Sequence, residues 1–149
     1  MTSRYGLEIR AAAPIDAPGL VTLLAEAGYA LDARAVADRL VSVREAPGVA
    51  LIAAQWGPPS GLIMLHWYPT LAEPRPTAQI TTLLVGVEDQ RRGIGRLLLK
   101  AGAQAARAAG CGGLEMVAPV DAESLHAFCR AAGFDHVGLR FVRSLRKQG

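Results

Sequence analysis

The segment Gln90-Arg91-Arg92-Gly93-Ile94-Gly95 stands between a β-forming run and a long amphipathic stretch, and that order constrains the fold more than any other feature. The run before it, Gln79-Ile80-Thr81-Thr82-Leu83-Leu84-Val85, is rich in β-branched and apolar residues and contains no helix breaker. The stretch after it places Ile94, Leu97, Leu98, Ala101, Ala105, Ala108 and Ala109 on one helical face. A strand, a glycine loop and a helix start together aim a row of unpaired backbone N–H groups at one point. The positive end of the helix dipole lies behind them, so the unit is suited to an anion. Arg91, Arg92 and Arg96 add fixed positive charge, and a phosphate group fits such a place.

Spacing separates the phosphate-binding families that use this unit. A P-loop requires Gly-x-x-x-x-Gly-Lys-Ser/Thr, but Arg96 and Leu97 follow Gly95, so the metal-binding hydroxyl is missing. A dinucleotide fingerprint requires a third glycine where Leu98 stands. Gln-x-x-Gly-x-Gly after a strand ending Leu83-Leu84-Val85 instead resembles the acyl-CoA motif of the GNAT superfamily of N-acetyltransferases. The resemblance extends along the chain. Leu7–Ala12 followed by Asp16-Ala17 is similar to the family's first strand and its turn into the first helix. Gly61–His66 resembles the third strand, and Ala122–Phe134 resembles the late helix that closes the cofactor groove. A plain βα turn would explain the glycines but not the clustered arginines.

Length and composition agree with one domain over residues 1–149, large enough to bury a core without disulfide or metal staples. At 51% hydrophobic and 19% charged residues the chain is too apolar for disorder. The N-terminal residues do not lead into a signal-peptide core, and no apolar run approaches the ~20 residues that span a bilayer. A cytoplasmic protein is expected, with Cys111 and Cys129 reduced. Residues 1–80 carry 6 basic and 7 acidic side chains, whereas residues 81–149 carry 10 and 6. The positive excess therefore lies in the half that holds the anion loop. Arg140, Arg143, Arg146 and Lys147 read as a solvated basic end, since no aromatic nucleic-acid-binding pattern accompanies them.

The patterning predicts strands at 7–13, 49–55, 62–68, 79–87, 113–118 and 136–145, with helices at 16–27, 31–45, 94–109 and 121–132. Asp16 and Asp32 are the expected N-caps, and Gly28 ends the first helix. Gly57-Pro58-Pro59-Ser60-Gly61 joins two strands, and the three prolines between Pro69 and Pro76 make that segment a stiff loop. This order implies an α/β (α+β) GNAT fold, a mixed and mostly antiparallel sheet with helices on both faces.

The resemblance implies attack of a neutral amine on the thioester of acetyl-CoA, with no metal. Main-chain groups of Leu83, Leu84 and Val85 would bond the pantetheine arm. An N–H near Leu84 would hold the developing oxyanion. Arg91, Arg92, Gly93, Ile94, Gly95 and Arg96 would take the pyrophosphate. A primary ammonium with a pKa of about 10.4 must lose a proton first. Glu115 is the first candidate base, because some family members carry a catalytic glutamate at this position, and His66 is the second. Both residues also fit ordinary strand packing, and Glu73 fits a solvated loop. Cys129 stands where the family often has a tyrosine that protonates the leaving thiolate, and Ala122 where it often has asparagine. A thiol, with a reference pKa of about 8.5, can serve as that acid, but a small buried residue explains Cys129 as well. His126 shares its helix face with Cys129, yet no further ligand stands at a zinc-site spacing. Tyr5, Tyr29 and Tyr68 are further acids that the sequence does not place.

Acceptors in this family contact the first two helices and the loops flanking the cleft, here Gly28–Asp32, residues 69–76, Trp67 and Tyr68. The expected partners are acetyl-CoA and a small-molecule or peptide amine, and the resemblance also admits a homodimer. Membrane and nucleic acid are not expected. The competing class is a non-catalytic acyl-CoA-binding or regulatory module, because the usual acid and amide are replaced.

Overall fold

The computed structural model describes residues 6–146. They form two compact units, one running to Val117 and one starting at Ala118. The first unit is built on a five-stranded sheet of order β1-β2-β3-β4-β5. Its strands are β1 (Glu8–Ala11), β2 (Gly48–Ala54), β3 (Gly61–Tyr68), β4 (Thr77–Val85) and β5 (Gly113–Met116). β1 to β4 form an antiparallel meander, and β5 joins β4 in parallel. Parallel pairing requires a crossover, and α3 (Ile94–Ala108) supplies it.

α3 packs on one face of the sheet. Its buried stripe is Ile94, Leu98, Gly102 and Ala106, one residue every four. That differs from the face read from sequence, where Ala108 and Ala109 were included; both are exposed. The reason is Gly102. A Cβ there would stand 3.0 Å from Leu65 Cδ1 and 3.1 Å from Ile63 Cδ1, so the helix rests on β3 through the missing side chain. The opposite face carries α1 (Ala17–Glu26) and α2 (Ala33–Glu45). Leu20, Leu23, Val36, Leu40 and Val43 from these helices close over Ala50, Ile52 and Leu62. Each fully buried leucine or isoleucine here contributes about 1.5–3 kcal/mol through water exclusion. Helices therefore cover both faces, and the central strands read as continuous apolar runs.

Local chemistry sets the helix ends. Asp32 accepts from the Ala35 N–H at 2.8 Å and caps α2, as its sequence position predicts. Asp16 precedes α1 but turns backwards, accepting from the Ala13 N–H at 2.8 Å and from both Arg10 nitrogens at 2.8 and 2.9 Å. Arg10 holds the Asp16 carboxyl below its ordinary range, outweighing the opposing effect of burial. Asp16 thus ties β1 to the first helical turn instead of capping the helix. Gly28, with φ +94°, ends α1: its N–H bonds Ala25 and the Tyr29 N–H bonds Leu24.

The second unit holds α4 (Glu123–Ala131). Gly133 (φ +88°) lets the Phe134 N–H reach the Cys129 carbonyl at 2.9 Å and its own N–H reach Arg130. This Schellman closure is the structural content of the Gly-Phe pair noted in the sequence. The strand predicted over 136–145 is absent among the described residues. The segment pairs with no neighbouring strand, and Val137, Leu139 and Phe141 are exposed. Alternating apolar residues produce a strand only where a ladder partner receives their peptide groups.

Candidate functional site

β4 consists of two halves that are out of step. Met64 pairs with Thr82, but Leu65 pairs with Ile80, so Thr81 is an extra residue that bulges from the β3–β4 ladder. The parallel ladder to β5 runs from Thr77/Gly113 to Ile80/Met116, with a last contact from the Val117 N–H to the Ile80 carbonyl at 3.1 Å. β4 continues to Val85 without β5 beside it. Alternation then fixes which peptide groups are open. The Gly86 N–H donates to Ser60 at 2.8 Å, towards β3, so the peptide groups of Leu84 and Thr82 also face β3. Those of Leu83 and Val85 face the edge that β5 has left. Leu84, the centre of the sequence prediction, is turned inwards at its N–H, and its neighbours present the free groups.

This open edge leads into the glycine loop. Arg91 has φ +67° and Gly93 φ +78°, a left-handed pair that curls the chain into the first turn of α3. A Cβ on Gly93 would meet nothing within 4 Å, so glycine is favoured there by backbone conformation. No side chain caps α3, and the first loop-to-helix bond is Leu97 N–H to the Gly93 carbonyl at 3.1 Å. The amides of Ile94, Gly95 and Arg96 consequently lack intrahelical acceptors. The three arginines are not equivalent. Arg92 bonds Asp89 at 2.9 Å and Gln55 at 3.4 Å, which spends much of its charge. Arg91 and Arg96 make no ion pair among the described residues.

The candidate bases stand on one face of the sheet. His66, Gln79 and Glu115 are direct cross-strand neighbours on β3, β4 and β5, so their side chains share a face. Tyr68 follows two residues after His66 and also belongs to that face. Burial pushes the Tyr68 phenol up, and the adjacent Glu115 carboxylate pushes it further, by its charge and as hydrogen-bond acceptor. The sequence did not place Tyr68; the bulge in β4 and the β5 register bring it to Glu115. Glu73 lies exposed in the proline-rich loop.

The same face carries a cleft of about 250 Å³ between α1, α2, β3 and β4. Leu20, Leu24, Leu40, Leu62 and Met64 form its floor and walls, Tyr29 and Leu31 come from the α1–α2 connection, and Thr82 and Arg39 supply the polar atoms. Of the acceptor segments named from the sequence, Tyr29 and Leu31 line this cleft. Thr82 and Arg39 were missed, because a threonine in a strand and an arginine on a helix carry no signal by type alone. Cys129 belongs to the second unit, half-buried on α4. Burial pushes its thiol up, against the smaller opposing effect of Arg130. His126 bonds the Pro119 carbonyl at 2.7 Å.

Among curated proteins none matches the chain. Solved structures do. An acetyltransferase of Trypanosoma brucei superposes with a TM-score of 0.80 at 22% identity, over 93% of this chain and 99% of that one. An aminoglycoside acetyltransferase from an uncultured soil metagenomic sample, solved with sisomicin, gives 0.76 at 20% identity over 95% and 97%. An aminoglycoside N-acetyltransferase in complex with CoA gives 0.81 at 16% identity over 94% and 95%. These similarities establish the fold. Residues 20–134 match the sequence model of the acetyltransferase (GNAT) family, and with strand, loop and helix in that family's order the chain belongs to it.

Proposed function

We propose that the protein transfers the acetyl group of acetyl-CoA to a primary amine by direct attack on the thioester. The observation that carries this reading is the open edge of β4, which begins where β5 stops at Met116 and ends at the uncapped start of α3. The free amides of Ile94, Gly95 and Arg96, with Arg91 beside them, donate to the pyrophosphate oxygens. The edge groups of Leu83 and Val85 receive the pantetheine arm as a strand receives its neighbour. One of these two N–H groups polarises the thioester carbonyl and holds negative charge on its oxygen as the amine adds.

Glu115 takes the proton from the incoming ammonium, and the Tyr68 phenol, which donates to it, fixes the carboxylate's orientation. The amine lone pair forms the C–N bond, the nitrogen of the adduct loses its second proton to water, the C–S bond breaks, and the thiolate leaves. A raised Cys129 thiol is a poorer acid than a free one, so Cys129 is assigned a packing role and solvent protonates the thiolate. The test is thiol release from acetyl-CoA across a panel of amines. Release well above hydrolysis with any acceptor supports transfer. Tight acetyl-CoA binding with no acceptor-dependent release refutes it.

A further inference from the structure

Building on that reading, we infer that the acceptor is a small amine with an apolar body and a single anionic group, the body filling the α1–α2 cleft and the anion pairing with Arg39. The lining decides the class. Leu20, Leu24, Leu31, Val36, Leu40, Leu62 and Met64 present hydrocarbon, and Tyr29 an aromatic ring. Among the described residues no carboxylate lines the cleft, and the sole formal charge on its lining is the Arg39 guanidinium. A polycation would bring several ammonium groups beside hydrocarbon and one like charge, with nothing to replace their water. An apolar side chain gains by entering such a space.

Arg39 supplies the second determinant. It lies on the exposed side of α2, one residue before the buried Leu40, and makes no ion pair among the described residues. Its fork of donors is therefore open to a carboxylate, which it can bind through two parallel hydrogen bonds. Size sets the third limit. A space of about 250 Å³ lies below the roughly 300–1,000 Å³ of pockets that take drug-sized ligands. Thr82 stands on the sheet side of the cleft, adjacent in sequence to Leu83 at the open edge. The amine end of the acceptor points that way, and an α-amino acid with an apolar side chain satisfies all three limits.

The test compares kcat/KM for phenylalanine, phenethylamine, spermidine and an aminoglycoside with acetyl-CoA as donor. Phenylalanine is expected to exceed phenethylamine by roughly ten- to a hundredfold, the range of a hydrogen bond to a charged group. The phenylalanine/phenethylamine ratio falls at least tenfold in Arg39→Met and partly recovers in Arg39→Lys. Faster turnover of spermidine or the aminoglycoside overturns the class while leaving acetyl transfer standing. So does a ratio unmoved by Arg39→Met. A preference for hexanoyl-CoA over acetyl-CoA assigns the cleft to the acyl chain and also overturns it. If no amine is acetylated, the transfer reading fails, and calorimetry with N-acetylphenylalanine decides the cleft separately. Binding weakened by Arg39→Met sustains the inference, and no binding ends it.

Discussion

Gly93→Glu isolates the electrostatics of the anion loop from its shape. Gly93 has φ +78° and ψ +10°, so any residue with a Cβ pays about 1–2 kcal/mol to occupy that conformation. A Cβ there meets nothing within 4 Å, so no packing clash adds to this. Gly93→Ala therefore measures the backbone cost alone and should lower the melting temperature modestly. Glutamate adds a negative charge beside the amides of Ile94 to Arg96. Two like charges ~4 Å apart near a protein surface repel by roughly 4 kcal/mol, and about 1.4 kcal/mol is a factor of ten in affinity. Acetyl-CoA binding should thus weaken by roughly a thousandfold in Gly93→Glu, relative to Gly93→Ala. Titration calorimetry at low salt reads the difference, and circular dichroism confirms that both variants remain folded. Added salt should recover part of the loss through screening. A glutamate variant that binds within tenfold of the alanine variant would refute the placement of the pyrophosphate.

Three further outcomes follow from named contacts. Glu115→Gln should lower kcat by roughly 10²–10⁴ with little change in acetyl-CoA affinity; wild-type rates would transfer the role to His66 or to water. Cys129→Ala should keep turnover within several-fold and cost ~1–2 kcal/mol of stability in chemical denaturation; a hundredfold loss of kcat restored by Cys129→Tyr would make the thiol the acid. Asp16→Asn should cost about 1–2 kcal/mol at neutral pH, discounted because Arg10 is more than a third exposed. Because the Asp16 pKa is lowered by folding, this stabilisation is complete above the unfolded-state value of about 3.9 and declines as pH falls through the folded one. The two proteins should therefore converge in acid, and a gap that persists at pH 2 would remove the ion pair as its cause.

What was legible in the sequence had local causes. Asp32 caps α2 through its own side chain, Gly28 stops α1 through its own φ, and the Gly-Phe pair closes α4 within five residues. The glycine loop was readable for the same reason. Features that depend on a distant partner were not. Asp16 has the composition of a cap, but Arg10 on β1 takes its carboxylate. Gly102 looked neutral until β3 stood beneath it. Residues 136–145 have the alternation of a strand, yet no pattern within a segment shows that a neighbour will pair with it. The bulge left no trace, since Gln79-Ile80-Thr81-Thr82 contains no glycine or proline to mark it. Without the bulge, neither the neighbourhood of Glu115 nor the open groups of Leu83 and Val85 can be assigned.

Thr81 acts on β4 as a frameshift acts on a message. Upstream of it, Ala78 and Ile80 point their peptide groups at β5 and bury their side chains at 0% exposure. Downstream, the parity is reversed, so Leu83 and Val85 face that edge while Thr82 and Leu84 turn to the α1–α2 side. Drawing this one exposed residue into the ladder opposite Met64 would carry the upstream phase through the rest of the strand. Thr82 would then be driven into the packing under α3, Leu83 into the cleft, and the Leu83 and Val85 N–H groups into the ladder with β3. A slip of one residue at a single surface position would thereby exchange the edge-facing and ladder-facing groups of the whole downstream strand, with the sequence itself unchanged.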